Sequence, residues 1–193
     1  MKRIIIGITG ASGSIYAKRI IEVLLEKDYE LRIICTANGK KVMKFETGIE
    51  LDKWVEDMKK KHAHIKLEDI DNLFSGVASG SYSYDAVIIL PCSMGTLAEI
   101  SQGYSKNLLT RVADVALKEN RKLVIVPRET PFNAIHLENM LKLARLGVRI
   151  IPAMPGFYHM PETIKSLVDF VVGKILDNLL IENTLFEKWK DNS

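Results

Sequence analysis

The chain has 193 residues, enough for one domain with a substantial core and short for two. Its formal net charge is only +3, with 27 basic and 24 acidic side chains mixed along it, so no basic tract marks nucleic acid as a partner. No apolar run reaches the ~18 residues of a membrane span, and Cys35 and Cys92, the only cysteines, have no metal-ligand spacing. A cytoplasmic chain with no disulfide, structural metal or membrane span is expected.

In chain order, β-branched runs alternate with stretches of helical period. A strand over 3–9 leads through a glycine- and serine-rich turn into a helix over 14–27, followed by a strand over 31–35 and a helix over 39–46. Residues 52–71 are highly charged and hold no evident chemistry. Then come a strand over 86–90, helices near 96–101 and 108–119, a strand over 123–126, a helix over 133–146 and a strand over 148–151. Alternation of this kind implies βαβ crossovers and one doubly wound parallel-sheet α/β domain spanning 1–193. Strands such as Ile4-Ile5-Ile6 and Val87-Ile88-Ile89-Leu90 are apolar without alternation, as expected when helices cover both sheet faces.

The helix over 133–146 sets Leu137, Met140, Leu141 and Ala144 at i, i+3, i+4 and i+7, a core-facing stripe. From Pro161 a long amphipathic helix carries Ile164, Leu167, Val168, Val171, Val172, Ile175 and Leu179. A helical tail at about 184–193, with Leu185, Phe186 and Trp189, packs either onto the same domain or onto a neighbouring subunit.

Two turns follow predicted strands, where N–H groups and helix starts converge on anions in parallel sheets. The first, 10–14, spaces glycines as Gly7, Gly10 and Gly13, unlike the dinucleotide fingerprint, and no Gly-Lys-Ser/Thr follows. Thr36 stands where an NAD site would offer an acid to the ribose, so NAD and ATP are both disfavoured. Hydroxyls of Thr9, Ser12, Ser14 and Thr36 are candidates for holding a cofactor. Alternatively, Gly10 and Gly13 merely permit the turn and Ser14 caps the helix. The second turn presents Ser93, Met94, Gly95 and Thr96, and two phosphate-capable turns suggest a nucleotide or phosphorylated cofactor.

Arg111, Asp114 and Lys118 share one helical face, with the cations ~10 Å apart. That face either presents two cations to a phosphate or is a solvated stripe laced by Asp114. Arg128 and Glu129, between Pro127 and Pro131, suit phosphate recognition and proton exchange, or else form a surface ion pair. The loop over 152–161 can make an apolar wall edged by the Tyr158 phenol. For His159 a surface role is expected ahead of a general base. Lys174 lies at the rim of the last helix's apolar arc, where lysines snorkel to water.

Five separated motifs, GITGASGSIYAKRI, ILPCSMGTLAEISQGYS, LLTRVADVALKE, LVIVPRETPFNAIHLENM and MPGFYHMPETI, together resemble the flavin prenyltransferase (UbiX) family along nearly the whole chain. The resemblance implies a flavodoxin-like or Rossmann-like domain that joins reduced FMN, at N5 and C6, to the dimethylallyl group of dimethylallyl monophosphate without a metal. The product would serve a UbiD-type decarboxylase, with a link to ubiquinone biosynthesis, and the assembly would be a homododecamer with sites at subunit interfaces. By motif, FMN is expected at Gly10, Ala11, Ser12, Thr36, Ser93, Met94, Gly95, Thr96 and Arg128. The prenyl phosphate is expected at Arg111, Lys118, Arg128, Tyr158 and Lys174, and Ser12, Glu46, Lys118 and Glu129 are the implied catalytic set. Position 174 is Lys where relatives carry Arg, which turns a bidentate phosphate contact into a point charge. Two rivals are a flavin-dependent cysteine decarboxylase, disfavoured because Pro152-Ala153-Met154-Pro155 lacks that group's asparagine, and a non-catalytic FMN-binding subunit.

Overall fold

The computed structural model describes residues 1–188. Its elements run β1 Arg3–Ile8, α1 Ser14–Glu26, β2 Glu30–Cys35, α2 Ala37–Thr47, α3 Leu51–Lys59, β3 Ile65–Glu68, β4 Ala86–Cys92, α4 Met94–Ser101, α5 Leu108–Lys118, β5 Lys122–Pro127, α6 Ala134–Arg145, β6 Arg149–Ile150 and α7 Ile164–Asn178. The six strands pair in parallel in the order β3-β2-β1-β4-β5-β6. Strand order therefore reverses between β1 and β4, and the crevice beyond their carboxyl ends is where doubly wound sheets bind ligands.

Two apolar layers explain the unalternating strands. Ile4, Ile6, Ile8, Ile33, Ile88 and Leu90 pack into one core layer, whereas Ile5, Ile34, Val87, Ile89 and Cys92 pack into the other. Each strand thus buries both faces, and each fully buried Ile contributes about 1.5–3 kcal/mol of transfer free energy. Gly7 leaves space on the second face for Leu109, whose Cδ1 would collide with an added Cβ. Cys35 and Cys92 are free and buried; burial pushes the Cys35 thiol up to about 12 and the Cys92 thiol further in the same direction. No described helix is long and apolar enough to cross a membrane.

Three segments depart from expectation. The charged stretch 52–71 holds most of α3 and the edge strand β3, whose Ile65 and Glu68 are buried. Its charges belong to a network: Arg32 donates to Glu68 at 2.9 Å and to Glu30 at 2.9 Å, and Arg3 donates to Glu30 at 2.8 Å. Of the expected stripe of α6 only Met140 packs against the core; Leu137 and Leu141, 53% and 51% exposed, and Ala144 face outward, because the helix turns Asn139 and Leu143 toward α4. The expected stripe of α7 loses its first residue, since Ile164 is exposed.

The described part of the tail, 184–188, is not helical. Leu180 adopts a left-handed φ of 62°, and the Asn183 side chain donates to Asp177 at 2.9 Å, so the chain turns back along α7. Leu185 and Phe186 pack onto the domain's own core, while Trp189 lies outside the described residues.

The Glu30 network makes a pH prediction. Hydrogen bonding from Arg3 holds the Glu30 carboxyl at about 2, below its ordinary 4.5, with Arg32 adding to the effect against the opposing influence of burial. A depressed folded-state value stabilises above about pH 4.5 and is lost as pH falls toward 2. After allowing for partial solvent screening, Glu30→Gln is expected to cost about 1–2 kcal/mol at pH 7. Urea unfolding at pH 7 and pH 3 checks this, since the gap between wild type and variant should shrink at the lower pH.

Candidate functional site

Three helices begin around one cleft at the carboxyl edge of the sheet. α2 is capped by Thr36, whose Oγ1 accepts from Gly39 N at 3.0 Å. α4 is capped by Ser93, which accepts from Thr96 N at 3.4 Å. α5 is capped by Asn107, which accepts from Thr110 N at 3.0 Å in a reciprocal capping box. The cleft, about 520 Å³, is lined by Gly10, Thr36, Ser93, Gly95, Thr96 and Asn107 among others. Each helix start carries roughly half a positive charge, so their convergence gives this end of the cleft a positive potential suited to an anion.

Thr9 builds this arrangement from below. Its Oγ1 donates to Pro91 O at 2.7 Å and accepts from Ser93 N at 2.8 Å, tying the end of β1 to the end of β4 and the start of α4. The β4–β5 register is irregular between Ile89 and Cys92, and Pro91, with no N–H of its own, presents its carbonyl to Thr9. Thr9 and Ser14 are fully buried, so neither hydroxyl is the cofactor contact that the sequence allowed for. Gly10 is required where α2 begins, because a Cβ there would lie 2.8 Å from Asn38 Cβ.

The turn over 10–14 is held by an acid from another helix. Glu46, near the end of α2, accepts from Gly13 N at 3.0 Å and Ser14 N at 2.8 Å, filling the start of α1 with a carboxylate. Burial alone would raise the Glu46 carboxyl, but hydrogen bonds from the Ser12 hydroxyl and from the Ser14 and Gly13 N–H groups outweigh it. The net effect holds Glu46 below its ordinary value, so it is an anion at neutral pH.

The expected FMN residues Gly10, Thr36, Ser93, Gly95 and Thr96 meet in the cleft. Ala11, Ser12 and Met94 belong to its turn and helix start but are not among its lining residues. Arg128 follows β5, with its N–H bonded to Cys92 O at 3.2 Å, and its charge opposes the upward shift that burial gives the Tyr16 phenol. No Arg128–Glu129 ion pair forms among the described residues; Glu129 Oε1 accepts from Thr130 N at 3.0 Å instead.

The expected prenyl-phosphate residues do not gather in one chain. Arg111 bonds Asp114 at 2.8 Å and Ala78 O at 3.2 Å, and Lys118 pairs with Glu119 beside Gly80. Neither lines the cleft: α5 starts there and carries Lys118 about 15 Å away along its axis, whereas Arg111, one residue past the lining Thr110, turns to Asp114 and the Ala78 carbonyl. Tyr158 and Lys174 sit in an aromatic cluster against α7. His159 stacks flat on Phe170 at 5.1 Å with both ring nitrogens enclosed, so it is a packed side chain rather than a surface one. Sequence reasoning missed Asn38, Ile70, Asp71, Lys106 and Asn107 as lining residues. The Asn107-x-x-Thr110 spacing was a legible capping signal, whereas Asp71 reaches the cleft only through the pairing of β3.

Comparison with known proteins agrees with this geometry. The Flavoprotein family pattern matches residues 1–176. A flavin prenyltransferase UbiX from Methanocaldococcus jannaschii is 51% identical over 187 residues, covering 97% of this chain and 98% of the relative. The chain belongs to the flavin prenyltransferase family. Among solved structures, AnUbiX (PadA1) in complex with FMN and dimethylallyl pyrophosphate superposes with a TM-score of 0.91 at 34% identity, covering 100% of this chain and 99% of that one. A dodecameric FMN-dependent UbiX-like decarboxylase from Escherichia coli O157:H7 gives 0.89 at 38% identity, covering 97% and 99%. For a flavin prenyltransferase, a cleft of about 520 Å³ ending in helix starts fits a singly phosphorylated flavin.

Proposed function

We propose that this chain joins the dimethylallyl group of dimethylallyl monophosphate to reduced FMN, releasing phosphate without a metal ion. The observation that carries the reading is the convergence of the α2 and α4 starts on one cleft, in a chain that flavin prenyltransferases match nearly end to end. Thr36, Ser93, Gly95 and Thr96 hold the flavin phosphate through hydroxyls and backbone N–H groups, and the turn at Gly10, Ala11 and Ser12 borders the flavin together with Met94. Reduced FMN supplies the nucleophilic N5 and the ring carbon C6 that accept the C5 unit.

The chain's own residues serve the leaving group and the proton. Breaking an allylic carbon–oxygen bond concentrates negative charge on phosphate, which fixed cations stabilise. Arg128, just beyond β5, takes this role, with Tyr158 and Lys174 as further contacts. Ring closure at C6 releases a proton, which Glu129 or the departing phosphate accepts, with the Ser12 hydroxyl as a relay. Glu46 holds the Ser12 turn in place.

Neither Arg111 nor Lys118 lines its own cleft, Arg111 being tied to Asp114 and the Ala78 carbonyl and Lys118 to Glu119, which supports their serving a neighbouring copy in a homo-oligomer. A dodecamer like that of the Escherichia coli relative would also cover the exposed α6 face of Leu137, Leu141 and Ala144. The prenylated flavin would pass, in the cytoplasm, to a UbiD-type decarboxylase acting on an aromatic or quinone-precursor acid.

Anaerobic incubation with reduced FMN and dimethylallyl monophosphate, followed by mass spectrometry of the released flavin, tests the proposal. A flavin heavier by one C5 prenyl unit is the expected result. Unmodified FMN, with binding confirmed and the diphosphate also tried, would overturn it.

A further inference from the structure

The aromatic cluster against α7 joins two residues that sequence places far apart. Phe170, on α7, has ring centroids of Tyr158 at 5.5 Å, edge-on, and of Phe186 at 5.0 Å. Phe186, from the segment that doubles back after α7, has the Lys174 ammonium 5.8 Å from its own centroid. Tyr158 and Lys174 are therefore connected through two rings.

The backbone is shaped around both rings. A Cβ added at Gly156 would lie 2.9 Å from Phe170 Cζ, and one added at Gly173 would lie 2.6 Å from Phe186 Cδ1. Beside Phe170, the buried Asp169 accepts from Arg19 at 2.5 Å and from Lys165 at 2.6 Å, which anchors α7 to α1. Glycine weakens a helix interior, so Gly173 inside α7 disfavours the helix while admitting a ring.

We propose that Phe170 and Phe186 are positioning residues for the prenyl-phosphate site, setting Tyr158 and Lys174 before substrate arrives. The inference rests on the reading of those two residues as phosphate contacts. A lysine carries a long flexible stem, and ordering it at binding costs affinity; the Phe186 face attracts the ammonium and restricts that stem in advance. The segment after α7 is thereby part of the site, although it supplies no group to the reaction.

The test uses the full-length chain in the anaerobic transfer assay at saturating FMN. Phe186→Leu keeps apolar bulk and removes the aromatic face. It is expected to raise KM for dimethylallyl monophosphate about three- to tenfold, the size of a cation–π contact, with kcat and FMN affinity within about twofold. In a Lys174→Met background the same substitution should change KM less than about twofold, because neighbours acting through one contact are not additive. Gly173→Ala, which displaces the ring while favouring the helix, should reproduce the KM effect and carries the comparison if Phe186→Leu fails to fold. An unchanged KM in the folded variants, or an equal rise in both backgrounds, overturns the positioning role alone. A wild-type chain that makes no prenylated flavin overturns both this role and the function on which it rests.

Discussion

Thr9→Val is expected to lower the melting temperature by about 5–10 °C and to weaken FMN binding at least about tenfold. Valine matches threonine in shape, so the core is undisturbed and the change isolates one oxygen. That oxygen is fully buried, donates to Pro91 O and accepts from Ser93 N. Pro91 O retains the Thr9 N–H at 3.3 Å, but Ser93 N is left without its partner at the start of α4. An orphaned buried N–H plus one lost hydrogen bond costs about 2–4 kcal/mol, and each kcal/mol shifts the melting point about 2–4 °C at this chain length. Each loss of 1.4 kcal/mol in the α4 start's grip on phosphate is roughly tenfold in affinity. Thermal melts with and without FMN, together with a flavin-fluorescence titration, check both numbers, and Thr9→Ser should restore them. A valine variant that melts within about 2 °C of wild type and binds FMN normally would show that the clasp does not organise the site.

Glu46→Gln is expected to lower kcat about 10²-fold while leaving FMN affinity within about threefold, since a misplacement near 1 Å at a reacting centre costs about that much. The Glu46 carboxylate spans Gly13 N and Ser14 N and lies beside the Ser12 hydroxyl, so it aligns the turn that presents Ser12. A glutamine offers one acceptor and turns an NH₂ toward a backbone donor, and it also removes a negative charge from the start of α1. The expected stability loss is about 1–3 kcal/mol at neutral pH. Because the folded-state value of Glu46 lies below its ordinary 4.5, that stability is present above about pH 4.5 and disappears as pH falls through the lower folded value. Rate–pH profiles and urea melts of both proteins test this. A wild-type rate that changed between pH 6 and 8 only when Glu46 was present would instead make it a neutral-pH proton carrier.

Much of this architecture is written in short-range pattern. Unalternating runs such as Ile4-Ile5-Ile6 require helices on both faces, and their alternation with helical periods leaves a doubly wound parallel sheet as the natural outcome. Gly10, Thr36 and Ser93 were legible as strand-end residues for a similar reason, because turn chemistry depends on residues a few positions apart. Misread elements share the opposite property. β3 lay unread in the charged stretch 52–71, since its Glu68 gains meaning only beside Arg32 of the neighbouring strand. The α6 period was correct but only Met140 of the expected face meets the core, because periodicity marks an apolar face without stating what covers it.

The sequence by itself determined the fold class, the strand-end turns and, through its motifs, the family, whereas the one cap it offered, Ser14, is the first residue of α1, after Gly13 at the N-cap. Tertiary structure decided that Thr9 is a clasp and not a cofactor contact, that Glu46 reaches back to the start of α1, and that Arg111 turns to Asp114 while Lys118 leaves its own cleft along α5. It also decided that Phe186 returns to α7 beneath Lys174. Each of these depends on which distant segments the sheet order and helix directions bring within 3 to 6 Å, a separation that local periodicity does not encode.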